Sequence, residues 1–210
     1  MNEIAVVDLG ISNVKSVSKA IQHVGGEANL VDSCESIKHA KKIILPGVGA
    51  FDEAMSRLKK LDLIEILNEK ALLQKVPILG ICLGYQLMSN GSEEGNSSGL
   101  AWVDSETVSL KKLIDNNTYK CPHMGWNSID WINSEEQEFL NKGIRTPSRF
   151  YFVHSYIPVF RDRSLVKGVT NYGKDLDVCF RAENLLGTQF HPEKSHVYGL
   201  QLLKNFCEII

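Results

Sequence analysis

The sequence predicts an α/β protein: a mostly parallel central sheet flanked by helices, with antiparallel strands added in the C-terminal half. Three observations carry this prediction. The first half alternates short apolar runs with segments of helical period. Those runs lack the apolar/polar alternation of a half-exposed strand, as expected of strands covered on both faces. The second half has strand-like runs with few helical segments between them, which predicts hairpins joined to the sheet.

Ile4-Ala5-Val6-Val7 is the first apolar run, ended by Asp8-Leu9-Gly10. Ser12-Asn13 is a helix N-cap signal; Val14, Val17, Ile21 and Val24 follow at helical spacing, and Gly25-Gly26 closes the segment. Ala28–Val31 is a weaker strand, and Ile43-Ile44-Leu45 another, stopped by Pro46-Gly47. Met55, Leu58, Leu61, Ile64, Leu67 and Leu72 predict one or two helices, and Val76–Ile81 a further buried strand. This β-α-β-α order gives a parallel sheet with helices on both faces. Thr107–Leu110, Phe150–Val153, Val166–Val169 and Val178–Ala182 are the later strand candidates. Val197, Leu200, Leu203, Phe206, Cys207 and Ile210 form one face of a C-terminal helix. Asn90–Gly99 is polar and glycine-rich and reads as an exposed loop.

At 210 residues and 43% hydrophobic, the chain reads as one domain over residues 1–210 with ample core. Its 23 Lys+Arg against 25 Asp+Glu give no basic surplus for nucleic acid. No run approaches the roughly 18 apolar residues of a membrane span, and the first residues lack a basic signal-peptide region. Five cysteines (Cys34, Cys82, Cys121, Cys179, Cys207) occur with no CxxC pair. That pattern suggests neither a metal site nor a disulfide framework and fits a reducing, cytoplasmic compartment. In such a chain each cysteine is packing, or one is a nucleophile.

Gly80-Ile81-Cys82-Leu83-Gly84 sets Cys82 between glycines, after a buried strand and before a helix. This is the layout of a nucleophile elbow, where side chains two residues either way would clash with the sharp turn. The start of a helix favours thiolate, and the Leu83 N–H is placed as an oxyanion-hole donor. A nucleophilic cysteine needs a base. Of six histidines, His191 stands out in Gln189-Phe190-His191-Pro192-Glu193. Proline biases His191 toward extended geometry, and residues two apart in an extended stretch share a side. Glu193 can then orient the imidazole as a third triad member. The plain alternatives are a small buried cysteine and a surface His/Glu pair. Pro46-Gly47-Val48-Gly49-Ala50-Phe51 follows the third strand; its glycines allow close backbone approach, but no Gly-Lys-Ser/Thr follows as in a P-loop.

Together these segments resemble the class I (triad) glutamine amidotransferases, whose fold is flavodoxin-like. Pro122-His123-Met124-Gly125-Trp126-Asn127 and Tyr151-Phe152-Val153-His154-Ser155-Tyr156 narrow the resemblance to the glutaminase subunits of imidazole glycerol phosphate synthases. It covers the chain from Asp8 to the C-terminal helix. The resemblance implies that Cys82 attacks the side-chain amide of L-glutamine, His191 protonates the ammonia and later activates water, and Glu193 orients His191. It implies an oxyanion hole from Val48, Gly49 and Leu83, and glutamine held by Gly49, Leu83, Gln86, His154, Ser155 and Tyr156. It implies no cofactor and no metal. The ammonia passes to a (β/α)8-barrel synthase subunit in a heterodimer, with His123, Trp126, Asn127 and Lys194 on the face toward that barrel. The first loop departs from the family: Ser12 stands where the second glycine is usual.

Two other readings follow. Paralogous glutaminases serve sugar amidation in surface-polysaccharide synthesis with other synthase partners. A non-catalytic scaffold subunit of the same fold, or a cysteine peptidase with a similar elbow, would lack either the full triad or the five matching segments. Outside the elbow, Trp126 and Trp131 have a plain reading as core aromatics, His123 as a satisfied half-buried histidine, Lys194 as a solvated charge, Tyr85 as packing, and the other four cysteines as structural.

Overall fold

The computed structural model describes residues 3–132 and 140–208. Ile210, the last apolar position of the predicted C-terminal helix, lies outside them. Strands β1 (Glu3–Val7), β2 (Glu27–Val31), β3 (Ile43–Gly47) and β4 (Ile78–Cys82) alternate with helices α1 (Val14–His23), α2 (Cys34–Lys38), α3 (Phe51–Lys60) and α4 (Leu63–Asn68). Helix α5 (Leu83–Leu87) starts directly from β4. Strands β5 (Ser105–Ser109), β6 (His123–Trp131), β7 (Ser148–His154), β8 (Tyr156–Phe160), β9 (Val166–Asn171), β10 (Asp175–Ala182) and β11 (Leu185–Thr188) follow, closed by helix α6 (His196–Glu208).

Nine strands form one sheet in the order β2-β1-β3-β4-β11-β10-β9-β6-β7. The five from β2 to β11 are parallel; β10, β9, β6 and β7 extend the sheet antiparallel. The predicted class therefore holds. β5 and β8 pair apart from it as a two-stranded sheet. Because side chains alternate along a strand, Ile4 and Val6 enter one core while Ala5 and Val7 enter the other.

Helix α1 is only 10 residues long, too short to persist alone in water. Burial of Val14, Val17, Ala20 and Ile21 holds it, since each larger apolar side chain contributes roughly 1.5–3 kcal/mol. The Asn13 side chain accepts from Ser16 N at 3.3 Å, and Gly25, at φ +86°, ends the helix.

Periodicity in the sequence does not announce α2, β8 or most of β6. The Asn90–Gly99 expectation is also corrected. Only Glu93, Asn96 and Ser98 are exposed and the rest of the loop is half-buried, because it docks: Asp52 at the start of α3 accepts from Asn96 N and Ser97 N at 3.0 and 2.9 Å. Glu94 accepts from Phe51 N at 2.8 Å.

Candidate active site

The site is assembled at the C-terminal ends of parallel strands β3 and β4, where open α/β sheets place their ligands. Cys82 is the last residue of β4 and stands at φ 54°, ψ −104°, a conformation a non-glycine residue adopts only when its surroundings enforce it. The flanking glycines show how. A Cβ on Gly84 would lie 1.7 Å from the Leu45 carbonyl oxygen, and one on Gly80 2.7 Å from the Gly84 carbonyl oxygen. Backbone contact between the start of α5 and the two strands thus turns the chain sharply at Cys82. Leu83 is the first residue of α5, so its N–H has no intrahelical acceptor.

The β3–β4 register pairs Gly47 with Cys82, so the chain leaving β3 passes beside the elbow. Gly49 there sits at φ +103° with open space around its Cβ position. Glycine at 49 answers a backbone need rather than a steric one.

His191 and Glu193 are both buried, with His191 Nδ1 2.9 Å from Glu193 Oε1. The route to this contact differs from the expected strand alternation. Strand β11 ends at Thr188, and Pro192–Lys194 forms one 3-10 turn that swings Glu193 back onto the ring. The anchoring is independent of the pair: His191 N donates to Tyr151 O, and Ser195 Oγ accepts from Tyr151 N at 3.0 Å. Burial opposes a charge on His191, but the Cys82 sulfur and the Glu193 carboxylate outweigh it and lift its pKa to about 10. Among the described residues, the imidazole nitrogen remote from Glu193 and the second Glu193 oxygen are buried without hydrogen-bond partners. The carboxylate therefore accepts from Nδ1–H and leaves Nε2 for chemistry at Cys82.

A cavity of about 310 Å³ opens on the sulfur. Val48, Gly49, Leu83 and Gln86 line it from the elbow side, and His154, Ser155 and Tyr156 from the turn between β7 and β8. These residues, scattered through the sequence, are all brought together. The Gln86 side-chain amide donates to Tyr156 O at 2.9 Å and to Gln189 Oε1 at 3.1 Å, and Gln189 Nε2 lies 3.6 Å from the Cys82 sulfur.

Sequence reasoning misses Gln189 as a contact to the sulfur and Glu94 as part of the cavity wall. Gln189 stands two residues before His191, and its place in that motif is the signal that could have found it. For Glu94 no local signal exists, because its role depends on the loop docking against α3.

The remaining expected site residues divide. Trp126 is half-buried, stacked on His196 (ring centroids 5.0 Å apart, 4° between planes) and edge-on to Tyr151. Lys194 is exposed, 5.8 Å above the Tyr151 ring, and Asn127 is half-buried on the same strand as Trp126. His123 does not belong to this face: it is fully buried, sandwiched between Phe152 and Tyr172. Tyr85 is core packing whose hydroxyl donates to Asp177 O at 2.7 Å, and the Trp131 ring packs edge-on against Phe150 and Phe190. Cys179 and Cys207 are buried, and burial pushes Cys179 up to about 12. Cys34 is exposed, against the expectation that all four remaining cysteines are packing.

The sequence pattern of the glutamine amidotransferase class-I family matches residues 5–210. The chain is 42% identical to the imidazole glycerol phosphate synthase subunit HisH 2 of Pseudomonas aeruginosa, covering 99% of this chain and 100% of that one. It is likewise 42% identical to HisH 2 of Methanococcus maripaludis, over 98% of each chain. Among solved structures, PurLQS from Thermotoga maritima superposes with a TM-score of 0.70 at 17% identity, covering 97% of this chain and 94% of that chain. The glutaminase domain of the Trypanosoma brucei CTPS gives 0.62 at 15% identity, over 99% and 94%. With residues 5–210 matched and two relatives aligned along nearly their whole length, the chain belongs to the class I glutamine amidotransferases, among the HisH subunits of imidazole glycerol phosphate synthases.

Proposed function

We propose that this glutaminase works through Cys82, His191 and Glu193, and that it supplies ammonia to a (β/α)8-barrel synthase subunit in a heterodimer of histidine biosynthesis. The observation that carries the chemistry is the buried 2.9 Å His191–Glu193 contact beside a cysteine held at an enforced positive φ. Cys82 sulfur attacks the side-chain carbonyl carbon of glutamine bound in the 310 Å³ cavity. Negative charge developing on the carbonyl oxygen is met by the Leu83 N–H and by the peptide between Val48 and Gly49. His191, protonated in the resting pair, gives its proton to the departing nitrogen, which leaves as ammonia. It then takes a proton from water, which attacks the thioester; glutamate leaves and the Cys82 sulfur is released beside His191, again protonated as in the resting pair. Glu193 holds the imidazole in one orientation throughout.

The exposed face of Met124, Trp126, Tyr151, His196 and Lys194 supports docking of the synthase subunit. It presents a preformed aromatic surface with a cation at its edge, the composition enriched in binding hot spots. Asn127, next to Trp126 on the same strand, points to the opposite side, toward His123, and is not part of this face.

The test mixes the chain with its barrel synthase and that partner's nucleotide substrate. Glutamine turnover is expected to rise, and Cys82→Ala to lower it at least about a thousandfold. Retained hydrolysis in Cys82→Ala overturns the nucleophile assignment, and no rise on mixing overturns the partner. Ser12, in place of the usual glycine of the first loop, favours one second reading: a paralogue serving sugar amidation. In that case a sugar-amidating synthase, not the histidine-pathway one, stimulates turnover.

A further inference from the structure

The mechanism above leaves two buried histidines unused. His123 of β6 pairs with His154 of β7 in the strand register, and their rings meet with His123 Nδ1 3.1 Å from His154 Nε2. Both are buried, at 0% and 5% exposure, so every ring nitrogen must be satisfied internally. His154 Nδ1 lies 3.0 Å from the Tyr156 carbonyl, which can only accept. The proton of His154 is therefore on Nδ1, its Nε2 is an acceptor, and His123 must donate to it from Nδ1. That fixes His123 in turn: when neutral, its Nε2 is an acceptor, yet the atom 2.9 Å away is Asn127 Oδ1, which also only accepts.

Asn127 meets this need by turning its NH2 toward His123, giving up only a long 3.4 Å contact with the exposed Asn171 carbonyl. The alternative is a positive charge on His123. Burial pushes both histidines down, His154 to about 3, and outweighs the smaller upward pull of Asn127 on His123 and of the Tyr156 carbonyl on His154; charge on His123 further disfavours charge on His154. His191, acting on His154 from the triad side, works in the same direction. The rings of Phe152 and Tyr172 on either side of His123 offer no counter-charge. The chain is thus neutral and has one direction, from Asn127 through His123 and His154 to Tyr156. Its last acceptor, Tyr156 O, also receives Gln86 Nε2 and belongs to the cavity wall.

We propose that His123 is a positioning residue for the glutamine cavity: by donating to His154 it fixes the tautomer that holds the Tyr156 carbonyl and, through it, Gln86. Through Asn127 the same chain ties the cavity wall to the strand that carries Trp126. This inference rests on the reading of the cavity as the glutamine site.

The test is protection of Cys82 from iodoacetamide by L-glutamine, followed by peptide-resolved mass spectrometry so that the exposed Cys34 does not interfere. His123→Phe keeps a ring between Phe152 and Tyr172 and removes both nitrogens. The half-protecting glutamine concentration is expected to rise about three- to tenfold, the worth of one positioned hydrogen bond. Nitrogen NMR of the histidines separates positioning from general damage: wild type shows His154 as the single Nδ1–H tautomer, and His123→Phe shows a mixture. If His123→Phe does not fold, Asn127→Leu at the half-exposed end is expected to move both readouts in the same direction. A folded variant with unchanged protection and an unchanged His154 signature overturns the proposal. Wild-type protein that glutamine does not protect overturns the cavity reading and this inference with it.

Discussion

A side chain at position 84 would collide with Leu45: its Cβ would lie 1.7 Å from the Leu45 carbonyl oxygen, about half a van der Waals contact. Backbone cannot yield there as a flexible side chain would, because Leu45 is the middle residue of buried strand β3. Gly84→Ala is therefore expected to cost more than about 3 kcal/mol, in the exceptional range for a single methyl group. Urea unfolding measures it. A midpoint within error of wild type would show that the elbow tolerates a displaced α5.

Gly49 should behave in the opposite way. Nothing lies within 4 Å of its Cβ position, yet its φ is +103°. Gly49→Ala adds no clash but carries the backbone penalty, about 1–3 kcal/mol, most simply relieved by turning the loop to negative φ. Folding is expected to survive, while glutamine turnover falls at least tenfold because the peptide beside the elbow is reoriented. Paired thermal melts and steady-state assays separate the two effects; unchanged turnover would remove this peptide from the oxyanion hole.

These two glycines also show what can be read from a sequence and what cannot. The elbow is legible because its constraint is local: two glycines around a cysteine between a buried strand and a helix have few other uses. The parallel half of the sheet is legible for a similar reason, since strands such as Ile43–Leu45 and Ile78–Ile81 must be apolar on both faces. Strand β6 is not, because Met124, Ser128 and Asp130 are exposed and its partners β7 and β9 lie distant in sequence. The His191–Glu193 contact follows from the sequence only by the wrong geometry: a 3-10 turn at Pro192, not strand alternation, brings Glu193 to His191. His123 reads as a partner-facing residue through the resemblance alone; alternation along the strand sends it inward, opposite Met124 and Trp126.

The His191–Glu193 pair predicts a pH dependence of stability. The folded pKa of His191, about 10, lies above the unfolded value of about 6.5. A group raised on folding stabilises fully below the unfolded pKa and loses that contribution as pH rises through the folded one. Glu193→Gln weakens the pair, so the difference in Tm between wild type and variant should be largest near pH 6 and shrink toward pH 10. A difference that grows with pH would mean that His191 is neutral in the resting enzyme.

Gln189 is fully buried, with its amide nitrogen 3.6 Å from the Cys82 sulfur and its oxygen accepting from Gln86. Gln189→Leu keeps the volume and removes both contacts. Gln86 retains the Tyr156 carbonyl, so the stability loss should stay near 1–2 kcal/mol. Cys82 loses the side-chain amide that donates to it, and its alkylation rate by iodoacetamide at neutral pH is expected to fall several-fold. An unchanged rate would make Gln189 a spacer rather than a donor to the sulfur.

The loop from Asn90 to Gly99 is tied to the start of α3 through two carboxylates. Glu94 lines the cavity and accepts from Phe51 N, while Asp52 accepts from Asn96 N and Ser97 N. Those backbone donors hold the Asp52 carboxyl below its ordinary range. The loop should thus stay docked through the neutral range and loosen only as Asp52 is protonated at acid pH. Asp52→Ala removes the bonds to Asn96 and Ser97 and leaves that of Glu94. The variant is expected to show faster amide exchange at Asn96 and Ser97 and a several-fold higher glutamine KM, with kcat little changed. The proposed catalytic groups, on β4 and after β11, do not rest on this loop. A drop in kcat at unchanged KM would instead place the loop among the elements that set the chemistry.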